Sequence, residues 1–193
     1  LGGMAQLLAA RLERLAALRA DGVDPYPPRA RRTHTSAEAL AAFAAVESAG
    51  GDEGPTDVAL CGRLVGAIRR MGGSMFVHLQ DQHGTVQLHL RRDRMGEAAF
   101  QAAAARFDPG DFVQADGAMF RTRAGEVSLA VDALTMLAKS LRPLPEKWHG
   151  LTDVETRLRQ RYLDLMANPD VRDRFIARSL IVRAMRSFLD GRG

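Results

Sequence analysis

With a single cysteine, Cys61, among 193 residues, the chain has neither an internal disulfide nor a cysteine-built zinc site, as expected of a thiol-reduced cytoplasmic protein. Long apolar runs are missing too. Nothing approaches the roughly 18 uninterrupted apolar residues of a membrane span, and no charged-then-apolar start marks a signal peptide. A membrane partner is not expected. Also absent are a Walker-type Gly-Lys-Ser/Thr, a metal-ligand cluster and a Ser/His/Asp set for nucleophilic catalysis. Asp108 and Asp111 form a carboxylate pair, but around Pro109-Gly110 they read as turn-capping residues rather than an acid–base couple. Lysine is scarce: Lys139 and Lys147 stand against 25 arginines, and alanine is abundant, a pairing that reflects coding bias. The net charge of +4 is therefore weak evidence for a nucleic-acid partner. Its excess lies late, where residues 139–193 hold 12 Lys and Arg against 7 Asp and Glu.

What remains is ordinary globular material, 46% hydrophobic and 26% charged, enough for one domain with flanking elements or two small domains. Leu8, Leu12 and Leu15 recur at helical spacing from Met4 to about Ala20, and Asp21-Gly22 ends that helix. Asp24-Pro25-Tyr26-Pro27-Pro28 follows as an extended connector. Thr35, with Glu38 three residues on, forms a capping box for a second helix through about Val46, and Ser48 to Pro55 is a Gly-rich linker. From Thr56 the apolar period falls from 3.6 to 2. Val58, Leu60 and Leu64 mark one strand, Val77 and Leu79 a second, Val86, Leu88 and Leu90 a third. Asp81-Gln82-His83-Gly84 turns the second into the third. A helix from about Glu97 to Arg106 precedes two more strands, about Phe112 to Phe120 and Glu126 to Leu137. Three strands, a helix and two strands is the order of the OB-fold, a five-stranded partly open barrel. The fold class is thus mainly β with flanking α, divided into residues 1–55 (helical extension and linker), 56–141 (barrel) and 142–193. The last part holds helices from about Val154 to Met166 and Asp170 to Leu189. Phe175, Ile181, Met185, Phe188 and Leu189 give its final helix an apolar stripe that needs a partner.

Strand parity predicts the binding surface. If Val77 and Leu79 point inward, Phe76, His78 and Gln80 point out, joined by Gln87 and His89, by Arg63 and Arg69, and by Glu126 and Ser128. An outward Phe beside amide and charged groups suits single-stranded nucleic acid, with the ring stacking on a base and polar groups reading its edge. The plain alternatives are a one-residue slip that buries Phe76, and solvated roles for Gln87, His89, Arg69 and Glu126.

From Lys139 to Glu155 the run KSLRPLPEKWHGLTDVE, followed by Arg159-Gln160-Arg161-Tyr162-Leu163-Asp164-Leu165, resembles the junction between anticodon-binding and catalytic domains in class II lysyl-tRNA synthetases. Phe76 to Asp81, Gly84 to Leu88, Asp108 to Asp111 and Thr122 to Ser128 resemble the same family's OB domain. The resemblance implies anticodon-binding roles for Phe76, Gln87, Arg69, Glu126 and His89: Phe76 stacks the central uridine and Gln87 bonds its edge. It also implies lysine tRNA as partner through its anticodon loop, and a homodimer through the terminal helix. The full-length enzyme would make lysyl-adenylate with ATP and Mg2+. Departures are Gly72-Gly73 for the usual Gly-Lys, His89 where Tyr is common, and Leu158 in place of an aromatic. The Arg-bearing catalytic signatures do not occur in these residues, so the expectation is an N-terminal fragment that binds, uses no cofactor and catalyses nothing alone. A stand-alone OB-fold RNA-binding paralogue without ligase activity is the alternative, and a self-associating fragment without RNA is a third.

Overall fold

The computed structural model describes residues 2–51, 54–143 and 151–193, arranged as two units, residues 1–143 and 144–193. Pro145 and Trp148 of the expected junction fall in residues 144–150, which lie outside the described residues.

The first unit is built on a closed five-stranded barrel with the order β1-β2-β3-β5-β4. The strands are β1 (Val58–Met71), β2 (Ser74–Gln80), β3 (Thr85–Arg91), β4 (Phe112–Arg121) and β5 (Val127–Ala138). All pairs are antiparallel except β3 with β5, whose parallel register sets Gln87 beside Ser128 and His89 beside Ala130. Burial follows the period of 2: Leu60, Leu64, Val77, Leu79, Val86, Leu88, Val113, Met119 and Leu129 fill the barrel. Phe100 and Ala103 of α4 (Glu97–Arg106), preceded by the short α3 (Arg92–Met95), and Phe43 of α2 (Ser36–Ser48) join the same core.

Two irregularities tune this barrel. On β1 a bulge between Val65 and Arg69 advances the register by two residues, so Arg69 faces Phe76 across the pair while parity is kept. Gly66 within it has φ +75°, which a residue without Cβ adopts at no steric cost. On β4 the register shifts between Asp116 and Gly117, and a Cβ at Gly117 would lie 2.1 Å from the Ala130 carbonyl oxygen, so glycine permits that close approach.

The expected capping box is present: Thr35 Oγ1 accepts from the Glu38 amide at 3.2 Å, and the Thr35 amide donates to Glu38 Oε2 at 2.7 Å. Asp81, in the β2–β3 turn, accepts from both the amide (2.7 Å) and hydroxyl (2.6 Å) of Ser36, docking the start of α2 on the hairpin. In α1 (Gly2–Ala20) the apolar stripe differs from the sequence expectation. Leu15 and Leu18 are buried but Leu12 is exposed, and Arg11, only 6% exposed, occupies the inner face. Its guanidinium is satisfied by the carbonyls of Ser140 (3.0 Å), Arg142 (3.2 Å) and Pro109 (2.9 Å), which is what allows a charge to replace a leucine there.

The Asp108–Asp111 pair does more than cap a turn. Lys139, its side chain wholly enclosed, donates to Asp108 Oδ2 (2.6 Å), Asp111 Oδ2 (2.8 Å) and the Arg106 carbonyl (2.9 Å). Arg14 reaches Asp108 from α1 at 2.6 Å. Burial works to raise the Asp108 carboxyl, but Lys139, then Arg14 and Arg11, outweigh it and hold it below the ordinary carboxylate value.

In the second unit the expected single helix from Val154 to Met166 is two: α5 (Val154–Arg159) and α6 (Arg161–Ala167), broken at Gln160. Arg157 and Asn168 converge on the buried Asp164, at 2.9 and 2.6 Å, and Arg161 joins them. On a continuous helix Arg157 and Asp164 would stand about 10.5 Å apart along the axis, so the break brings them together. The final helix, α7 (Pro169–Asp190), exposes Phe175, Ile176, Leu180, Ile181, Met185, Phe188 and Leu189.

Candidate nucleic-acid interface

Outward positions of β2, β3, β4 and the β4–β5 turn form one surface. Phe76 is on it, half-buried, as parity required. Its cover is the stacked ring of His89, directly opposite on β3, with centroids 4.3 Å apart and planes at 12°. Phe120, outward on β4, stacks on the far side of His89 at 5.7 Å. It reaches diagonally across β5, where its own partner is Ser128 and that of His89 is Ala130, both small. The three rings stand side by side like books on a shelf. One face of Phe76 is taken by His89, and the other looks toward β1, where Arg69 is its cross-strand neighbour. Arg69 is exposed and, among the described residues, has no carboxylate partner within 4.0 Å.

His89 is held rather than solvated. Burial, reinforced by Arg91 and opposed by Asp93, keeps its imidazole below the ordinary value, which favours the uncharged ring. Its Nε2 meets Ser74 Oγ at 3.2 Å, while Nδ1 is buried without a partner among the described residues.

Gln87 points outward but is not solvated: it is only 6% exposed and both ends of its amide are engaged. The fully buried Ser128 hydroxyl donates to Oε1 at 2.9 Å, and Nε2 donates to Glu126 Oε2 at 2.6 Å. These two partners fix which way the amide faces, since a hydroxyl donor and a carboxylate acceptor admit one orientation. Glu126 itself stays exposed in the turn, where its amide donates to Thr122 Oγ1 at 3.0 Å. Its second oxygen, Oε1, lies 3.1 Å from His78 Nε2. Parity in the sequence brings His78 and Ser128 to this face without giving them a role, and Phe120 and Ser74 join it only in the structure. Parity along β4 and β2 holds a signal for both. The reach of Phe120 across β5, however, depends on strand order, which periodicity does not carry.

Chemically, the surface offers a ring face, an oriented amide and a carboxylate with lone pairs toward solvent. A planar group carrying N–H donors beside a carbonyl fits it, the pattern of a nucleobase edge. Among the described residues no group of three or more His, Cys, Asp and Glu is placed to hold a metal ion.

Residues 58–137 match the tRNA anti-codon family model, described as an OB-fold nucleic acid binding domain. The chain is 50% identical over 188 residues to a lysine–tRNA ligase of Roseiflexus castenholzii, covering 97% of this chain and 37% of that protein. It is 44% identical over 188 residues to one from Pelotomaculum thermopropionicum (97% of this chain, 35% of that one). It is 46% identical over 193 residues to one from Xylella fastidiosa (96% and 37%). The chain thus spans little more than a third of the length of the curated relatives it matches.

Proposed function

We infer that this chain, whose residues 58–137 match the model of an OB-fold nucleic acid binding domain, holds the anticodon of a lysine tRNA as part of a class II lysine–tRNA ligase. The observation that carries this reading is the polar edge formed by Gln87 and Glu126 on the same outward surface as the half-buried ring of Phe76. In it Phe76 stacks a uridine, Gln87 and Glu126 meet that base's edge, Arg69 faces the backbone, and His89 supports the ring from behind. Single-strand binding by barrels of this kind rests on such stacking, worth about 1 to 3 kcal/mol per base.

Activation of lysine with ATP and Mg2+, and its transfer to tRNA, are in this reading the work of the longer enzyme. In the same reading this part of the enzyme serves to bind. The unpartnered apolar face of α7 supports the homodimer that the same reading implies, and the site of action is the cytoplasm. No helix among the described residues is long and apolar enough to cross a membrane.

The test is a titration of labelled anticodon stem-loops carrying lysine and aspartate anticodons. The lysine loop should bind more tightly, and Phe76→Ala should lose about 1 to 3 kcal/mol of that binding. Equal affinity for the two loops, or an unchanged Phe76→Ala, rejects the reading.

A further inference from the structure

An exposed carboxylate is a poor neighbour for a polyanion unless something fixes and neutralises it. Glu126 sits in a turn, joined to the barrel through Thr122 Oγ1 at its amide and, at its carboxylate, through one donor on each oxygen. Oε2 accepts from Gln87 at 2.6 Å and Oε1 meets His78 at 3.1 Å. Those donors come from cross-strand partners, since His78 of β2 lies opposite Gln87 of β3 in register. An ionised carboxylate only accepts, so His78 must present Nε2–H to it. With one hydrogen bond the carboxylate turns about that bond; with two, from adjacent strands, its plane and its remaining lone pairs are set.

We propose that His78 is a positioning residue for base selection: it locks the Glu126 carboxylate in the plane where it accepts from a ring N–H. This rests on the anticodon reading above and deepens it. A pyrimidine with N–H at ring position 3 then donates to a fixed acceptor, whereas one with a bare nitrogen there meets a lone pair it repels. Uracil is the first kind and cytosine the second. Without His78, Glu126 keeps its bond to Gln87 but swings, and the penalty against cytosine weakens. His78 touches no base itself, and its influence passes through Glu126.

The experiment measures binding of two stem-loops, one with the lysine anticodon and one with its central uridine replaced by cytidine. The proteins are the unaltered chain, His78→Ala, His78→Gln and Phe76→Ala. His78→Ala should shrink the uridine-over-cytidine preference by roughly three- to tenfold, the scale of one charge-assisted hydrogen bond acting indirectly. His78→Gln, whose side-chain amide N–H reaches the place of Nε2–H, should restore most of it, an outcome that loss of packing alone does not give. If the unaltered chain prefers uridine and Phe76→Ala binds weakly, while His78→Ala discriminates as well as the unaltered chain or His78→Gln is as poor as His78→Ala, the role of His78 is overturned and the anticodon reading stands. If the unaltered chain shows no preference, or Phe76→Ala loses nothing, both fall together.

Discussion

Removing the ammonium of Lys139 perturbs one of the most enclosed charges among the described residues. Its side chain is fully shielded from solvent, as is that of Asp111, and Asp108 is 13% exposed. Breaking a buried pair by deleting one partner costs about 3 to 5 kcal/mol, because the other charge stays behind. Here the residue left behind is not bare: Asp111 keeps the amides of Asp108 and Ser140, both at 2.8 Å, and Asp108 keeps Arg14 at 2.6 Å. The lower end, about 3 kcal/mol, therefore applies to Lys139→Met, which retains the apolar stem. Hydrogen exchange of barrel amides such as those of Leu79 and Leu129 reads this directly, since 3 kcal/mol is roughly a hundredfold loss of protection. Adding Asp111→Asn to Lys139→Met removes the stranded charge and should recover part of the loss. A Lys139→Met protein whose core protection falls by less than about threefold would refute the reasoning.

Three further outcomes follow from the geometry. Gly117→Ala should destabilise the barrel by about 1 to 3 kcal/mol, because the new methyl must displace the Ala130 carbonyl; a thermal melt unchanged from the parent contradicts the close approach. Asp81 is held below the ordinary carboxylate value: burial opposes this, but the hydrogen bonds from Ser36, His83 and Gly84 prevail. A group depressed by folding stabilises above its unfolded value, near 3.9, and loses that contribution as pH falls through the folded value. Asp81→Asn should accordingly be weaker than the parent in urea at pH 7, with the gap closing under acid; a constant gap down to about pH 2 disproves this. Ser128→Ala should cost about 1 kcal/mol by leaving Gln87 Oε1 without its buried donor, and should lower base discrimination as the amide becomes free to flip. A Ser128→Ala chain that still prefers uridine in full shows that the hydroxyl does not orient Gln87.

The alternation of side chains was the most legible feature. Val77 and Leu79 went in and Phe76 and His78 came out because a period of 2 leaves no other choice once one face is buried, and the bulge before Arg69 adds two residues and so preserves the parity. The Thr35–Glu38 cap was equally local. What escaped the sequence depends on contacts between distant segments. Arg11 reads as the polar side of a helix until carbonyls from residues 109, 140 and 142 gather around it. Asp108 and Asp111 read as turn residues until Lys139 arrives, 28 residues after Asp111. The burial of Gln87 likewise requires β5 to run parallel to β3, and nothing in either strand's pattern announces that pairing.

That parallel pairing has a consequence for folding. The β2–β3 hairpin supplies His78 and Gln87, whereas Ser128 and Glu126 arrive only when β5 docks about 40 residues later and the ring shuts. No intermediate short of closure owns the complete Gln87–Glu126–Ser128 cluster. Any RNA gripped there consequently favours the shut ring by mass action, by about 2.7 kcal/mol at a hundredfold excess over its Kd, so that the guest helps complete the host.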